Sequence, residues 1–372
     1  MGTSNTTAMV WCVTAACGLM GHSALAATAL SSLRAGDLVL SEIMINPSGD
    51  NAKNEWFEVY NATTASVDLN GLIISGKSGE TQTVSSSVVV PAGDYALFAV
   101  KATNNGGIGT PDYVYNRSVG RFDNGSDKLT ISYGSIEFDS ISWTSTGDFH
   151  PTLGYSLQLD PLRTNALRNS NAEYWCVGAS SYGTGGYGTP GAANASCGVT
   201  TLSISEITTG DLVVNEVMVN PLTTADATME WFEIYNSAGV DINLNGLVLR
   251  DKDTDSYTIA VDTIAYADDV ILLAVNDVPS KNGGLPKADV LYTRGSFRFD
   301  NGTDELYLYN GVEYIDQVKW TSSMLTEGVT LSLDPDAQDA TSNDTSTNWC
   351  AGASSYGAGG YGTPQADNDD CP

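Results

Sequence analysis

The stretch Glu55-Trp56-Phe57-Glu58-Val59-Tyr60-Asn61 returns almost unchanged as Glu230-Trp231-Phe232-Glu233-Ile234-Tyr235-Asn236. Aromatic and β-branched residues dominate it, a composition suited to a pleated, half-buried surface, so the stretch reads as a strand. Upstream lies an apolar run, Leu38 to Ile45, repeated as Leu212 to Val219. Asn46-Pro47 and Asn220-Pro221 end these two runs. Downstream, Leu69-Asn70-Gly71 matches Leu244-Asn245-Gly246, where Asn-Gly marks a turn or bulge. Further strands are expected at Tyr95 to Val100, Lys128 to Tyr133, Ile136 to Trp143 and Ser156 to Leu159, each with a counterpart later in the chain. Seven or more short strands per copy, separated by turn signals, predict an antiparallel β-sandwich.

The repeat sets the domain organisation. Gly36-Asp-Leu-Val39 opens one copy and Gly210-Asp-Leu-Val213 the other, while Trp175-Cys176 and Trp349-Cys350 close them at the same offset of 174 residues. The expected division is 1–26 as a signal peptide, 27–197 and 210–372 as two domains, and 198–209 as a linker. The alternating Leu202, Ile204 and Ile207 leave open a lead-in strand instead, as do Leu30 and Leu33 in the first copy. A tail rich in Gly and Tyr ends each copy (Ser180 to Pro190, Ser354 to Pro364) and reads as an ordered loop.

The first 26 residues carry an uncharged, mostly apolar stretch from Ala8 to Met20, then Ala24-Leu25-Ala26 as a small-x-small cleavage site. Cys17 lies in a poor lipoprotein box, since Thr14 sits where Leu is usual. No transmembrane segment and no anchor after Cys371 are expected. Cys176/Cys197 and Cys350/Cys371 share one spacing. In an exported chain this favours one disulfide per domain among the three possible connectivities. Zinc is the weaker reading, for lack of CxxC spacing or a histidine cluster.

The formal net charge is −28. From Ala27 to Thr200, 16 acids face 9 bases; from Thr201 onward, 28 acids face 7 bases. The field repels phosphate backbones, so no direct nucleic-acid partner is expected. It suits an extracellular protein or divalent-cation binding.

The combination of Glu42, Asn46-Pro47, Glu55 to Asn61, Leu69 to Gly71, Trp143, Trp175-Cys176 and Gly188-Thr-Pro190, with its second-copy counterparts, resembles the lamin tail domain. That resemblance implies an all-β fold of two tandem immunoglobulin-like antiparallel β-sandwiches. The chain has no coiled-coil rod, no basic localisation run and no prenylation box, so the resemblance points to the secreted bacterial type. Such domains are associated with attachment or interaction, and the family has no agreed catalytic residues to carry over.

Candidate sites are few. Asp123-Asn-Gly-Ser-Asp127 and Asp300-Asn-Gly-Thr-Asp304 read as β-turns, with Ca²⁺ ligation by Asp123, Asp127, Asp300 and Asp304 as the alternative. Asp251, Asp253 and Asp255 have calcium-loop spacing without the Gly and distal Glu of an EF-hand. Glu42, Glu55 and Glu58, with Glu216, Glu230 and Glu233, are the shared carboxylates. Glu55 and Glu58 face opposite sides of a strand, which argues for loop-junction pairing with backbone or Arg over acid/base work. His150 has no counterpart in the second copy, which disfavours a nucleophilic triad. The tryptophans are expected in the core, with an exposed glycan platform as the alternative. The expected function is non-catalytic interaction or adhesion at the cell surface, with an extracellular protein or polysaccharide as partner. A structural layer component and, remotely, a hydrolase are the alternatives.

Overall fold

The computed structural model describes residues 27–118, 120–147, 149–222, 226–251 and 255–372. The expected signal peptide, Cys12, Cys17 and Asp253 lie outside these residues. Both copies fold alike. In the first, a six-stranded sheet runs in the order Trp175–Val177, Leu157–Leu159, Leu38–Met44, Trp56–Asn61, Tyr95–Ala99, Tyr113–Val114. A four-stranded sheet faces it, in the order Ile136–Thr144, Ser126–Tyr133, Ile73–Gly76, Thr81–Thr83. The second copy repeats both sheets around Leu212–Met218 and Trp231–Asn236. Leu40, Phe57, Val59, Phe98, Ile131, Phe138 and Trp143 fill the space between the first pair of sheets. Val214, Phe232, Ile234, Leu273, Leu308 and Trp320 fill the second.

The sandwiches are not wholly antiparallel. Tyr113–Val114 pairs parallel with Tyr95–Ala99, and Thr28–Ala29 pairs parallel with Val67–Asp68. A parallel pair needs a crossover rather than a hairpin, and the long 100–112 segment supplies one. The segment 198–209 is likewise more than a spacer. Thr201–Ser203 pairs parallel with Asp241–Asn243, and Ile204 and Ile207 are buried in the second core. The lead-in strand is thus what this segment forms.

A bulge ties the two sheets together. Register slips between Leu40 and Glu42, and again between Val214 and Glu216. A bulge leaves a residue out of the ladder. Near it the Leu40 N–H donates to Asp139 Oδ2 at 2.6 Å across the sandwich, and Asn169 Nδ2 donates to the same oxygen at 2.7 Å. Val214, Asp316 and Asn343 repeat the device at 2.6 and 2.7 Å. Burial pushes both Asp139 and Asp316 up to about 7.

The Gly/Tyr tail forms a third layer on the outer face of the six-stranded sheet. Its hairpin, Ser181–Tyr182 with Gly186–Tyr187, covers Met44, Trp56, Leu97, Ala99 and Ile108. Trp56 Nε1 donates to Tyr182 Oη at 2.9 Å, and Trp231 to Tyr356 at the same distance. The hairpin turn comes so close to the neighbouring loop that a Cβ on Gly183 would lie 1.9 Å from the Gly106 carbonyl. Cys176–Cys197 and Cys350–Cys371 are disulfide-bonded, each closing a separation of 21 residues around this strap. Opening either bridge is expected to cost about 3 kcal/mol by the chain-entropy model. Thermal melts of Cys176→Ser should show the loss, with amide exchange rising first at Thr189 and Gly191; unchanged exchange there would mean the strap holds without its staple.

The two domains meet in a seam of opposite charges. Arg34 pairs with Asp277, Arg163 with Asp241, Arg168 with Asp269, and Lys287 with Asp37 at 2.7 Å. Ile264 and Tyr266 of the second domain belong to the hydrophobic cluster of the first. The Tyr174 and Tyr266 rings lie 5.3 Å apart. At the centre, Arg163 is fully buried, with Nε and Nη2 at 2.9 and 2.8 Å from Asp241 Oδ2 and its face 5.3 Å from the Tyr174 ring.

Candidate functional site

The carboxylates shared by both copies gather beneath the strap. Glu42 and Glu58 are register partners on adjacent strands, so their side chains project to the same outer face. The strap's Gly188-Thr189-Pro190 turn comes down upon them. Glu42 accepts from Thr189 N at 3.0 and 3.1 Å, from Thr189 Oγ1 at 2.8 Å and from Ser156 Oγ at 2.5 Å. Glu58 accepts from Gly191 N. Gly188 is required by this approach, since a Cβ there would lie 2.6 Å from Glu42 Oε1. Glu216 and Glu233 repeat the arrangement with Thr330, Ser332, Thr363 and Gln365.

Both pairs are fully buried. Burial, followed by the neighbouring Glu42 carboxylate, raises Glu58 well above the usual carboxylate range. Glu233 is raised by burial and then by Glu216. Burial also raises Glu42 and Glu216, against the pull of the hydroxyl and amide donors. In this dry site each carboxyl disfavours ionisation of its register partner.

Glu55 takes the other face of its strand. Arg117 grips it bidentately at 2.9 and 2.8 Å, as Arg294 grips Glu230 at 3.0 and 3.0 Å. Glu55 and Glu58 thus do not share a cleft. All six carboxylates pair with loop backbone, hydroxyls or arginine, as their spacing predicts. The six framework tryptophans Trp56, Trp143, Trp175, Trp231, Trp320 and Trp349 are all buried, so none forms an exposed platform. His150 sits in an exposed loop with Nδ1 2.8 Å from the Gly147 carbonyl.

The acidic turns are closed by their own backbone. Asp123 Oδ1 accepts from Gly125 N at 2.7 Å, and Asp127 accepts from the amides of Asp123, Lys128 and Lys77. Asp300 accepts from Gly302 N at 2.8 Å, and Asp304 from Asp300 N at 2.7 Å. The turns in turn position tryptophan: Trp143 Nε1 donates to the Asp123 carbonyl at 2.8 Å, and Trp320 to Asp300 at 3.2 Å. Asp304 is raised by burial, with Asp251 adding to the effect, and Asp255 lies 3.8 Å from Arg298. Among the described residues no group of three or more His, Cys, Asp or Glu is placed to hold a metal ion. The hydrogen bonds support the turn reading. Millimolar Ca²⁺ is therefore expected to move the melting temperature no further than the same concentration of Mg²⁺; a shift specific to Ca²⁺ would restore the aspartates as ligands.

A mixed six-stranded sheet facing an antiparallel four-stranded sheet, twice over, each domain capped by a disulfide-pinned strap, defines a tandem immunoglobulin-like β-sandwich protein. The family model described as Lamin Tail Domain matches residues 31–145 and 205–322, and the chain belongs to that family. Both matched ranges stop before the strap, which lies outside them. No curated protein matches the chain. No helix among the described residues is long and apolar enough to cross a membrane.

Several residues that build the site were not singled out from the sequence. Asp139 and Asp316 had a signal, since each is an acid inside an apolar strand in both copies. Ser156 and Thr330 had only their equivalent positions, while Thr189 and Thr363 were visible within the two Gly-Thr-Pro turns. Arg34, Arg163, Arg168, Asp241 and Tyr266 of the seam had no signal, because each occurs in one copy alone, whereas Asp37 and Asp269 recur as Asp211 and Asp94.

Proposed function

We propose that this chain is a secreted or surface-associated interaction protein without catalytic activity. The observation that carries this reading is the fate of the shared carboxylates: Glu42, Glu55, Glu58, Glu216, Glu230 and Glu233 have no exposed surface and are bonded within the fold. A general acid or nucleophile must reach its substrate. These groups hold loops instead. Disulfides in both domains fit an oxidising, extracellular compartment, as does an N-terminal segment with export features. The partner in this reading is an extracellular protein or polysaccharide, presented with two domains joined by the charged seam. Retention of the purified chain on cell envelopes or on immobilised polysaccharide tests it. Retention on neither, or turnover in a broad hydrolase screen, would remove it.

A further inference from the structure

The outer face of the second domain's four-stranded sheet differs from its counterpart. Tyr307 and Tyr309 project from one strand, and Tyr314 from the next. The Tyr314 ring centroid lies 5.0 Å from Tyr307 and 5.3 Å from Tyr309. Arg250 stands over the Tyr309 ring at 5.1 Å and Lys319 over Tyr307 at 5.7 Å. Neither cation forms an ion pair within 4 Å among the described residues, although Glu305 is the register partner of Lys319. Tyr314 is 51% exposed. The register places Arg250 and Gln317 beside Tyr307, where the first domain has Ser75, Ser140 and Thr130. Tyr309 likewise stands where that domain has Ser132. The first domain thus presents small hydroxyls and a Lys128–Glu137 ion pair where the second presents rings and cations.

We infer that this face binds a neutral polysaccharide chain, an inference that rests on the interaction reading above and names its partner. Ring faces carry negative quadrupole and attract the partly positive C–H groups of a sugar, while phenol, amide and cation supply hydrogen bonds to its hydroxyls. Charge selects among polymers. The net charge of −28 repels a polyanion at long range, and Arg250 with Lys319 outweighs Glu305 at the face itself, which disfavours a polycation there. A hydroxyl-rich neutral chain meets neither penalty. The rings are tilted by 44° and 50° to one another, which suits a soluble, twisted chain and not a flat crystalline surface. The cations over two of the rings hold them in place, reducing the ordering cost of binding.

Native electrophoresis of the full chain through gels containing dextran, laminarin or galactomannan tests the inference, with alginate and chitosan as charged controls. Retardation by at least one neutral polymer is expected, weakened about tenfold or more by Tyr314→Ala. Thr130→Ala on the equivalent face of the first domain should leave it unchanged. Circular dichroism of each variant checks the fold. No retardation by any neutral polymer overturns the inference, as does undiminished retardation of both Tyr314→Ala and Lys319→Ala. If those variants still bind cell envelopes as the parent does, the interaction reading stands and this face is not its surface.

Discussion

Arg163→Ala is expected to cost about 3–5 kcal/mol and to split one thermal transition into two. Arg163 lies wholly inside the seam, and it also donates to Thr201 Oγ1 at 2.6 Å. Truncation leaves Asp241 nearly dry, with only the Ala267 amide at 3.0 Å and the Tyr174 hydroxyl at 3.4 Å to stabilise its charge. An uncompensated buried charge is the largest penalty a single change can create here. The pair also joins the domains: Arg163 belongs to the first, while Asp241 and Thr201 belong to the second. Calorimetry should therefore find the second domain melting earlier and separately. Asp241→Asn in the same background removes the stranded charge and should recover much of the loss. A cost below about 1 kcal/mol, the range of an exposed ion pair, would show that the seam is solvated.

The melting temperature is expected to be highest near pH 4–5 and to fall as the pH rises to 8. The sign follows from the buried acids. Asp139 and Asp316 hold their protons to about 7 in the fold and Asp289 to about 6, against an ordinary 3.8 for aspartate in the unfolded chain. Their folded values are raised, so their contribution is complete below the unfolded value. It is lost as pH climbs through 4–7. Glu42, Glu58, Glu216 and Glu233 act in the same direction. The exposed Asp50, Asp339 and Asp369, whose values are lowered, oppose this only below about pH 4. The summed effect is on the order of several kcal/mol. Surface repulsion among so many acids has the same sign, but salt screens it and leaves the buried groups untouched. The slope should therefore persist in 1 M NaCl. A melting temperature that is flat or rising between pH 5 and 8 would contradict the burial argument. Glu58→Gln, which removes one ionisable partner of a pair, should raise stability most at the alkaline end.

Much of the framework was legible because it is written twice. The Glu-Trp-Phe-Glu strands, the first strands with their Asn-Pro ends, and the cysteine pairs all appear where duplication and spacing predict. The parallel edges were not legible. Pattern identifies a strand such as Tyr113–Val114 only weakly at two residues, and direction depends on a crossover that composition does not encode. At the site, Glu42 and Glu58 were visible as recurring acids, yet their partnership needed the bulge at Ser41, which shifts register by one residue. The strap's descent onto them is a tertiary event with no local signature. The seam failed for a different reason: a filter that keeps what both copies share discards Arg163, Arg168, Asp241 and Tyr266 by construction.

That asymmetry determines how far the association can propagate. Domain one offers one surface and domain two a different one, a head-to-tail contact of the type that builds open filaments when every unit carries both surfaces. Here the unused ends keep the acids Asp94 and Asp211 but lack the arginines and rings. Where the first domain has Arg163, Arg168 and Tyr174, the second has Ala337, Ser342 and Asn348. Where the second has Asp241, Ile264 and Tyr266, the first has Ser66, Val89 and Pro91. Repetition of this particular seam is disfavoured at both ends. A second copy docking through these ends would meet Ala337 in place of Arg163 and Ser66 in place of Asp241.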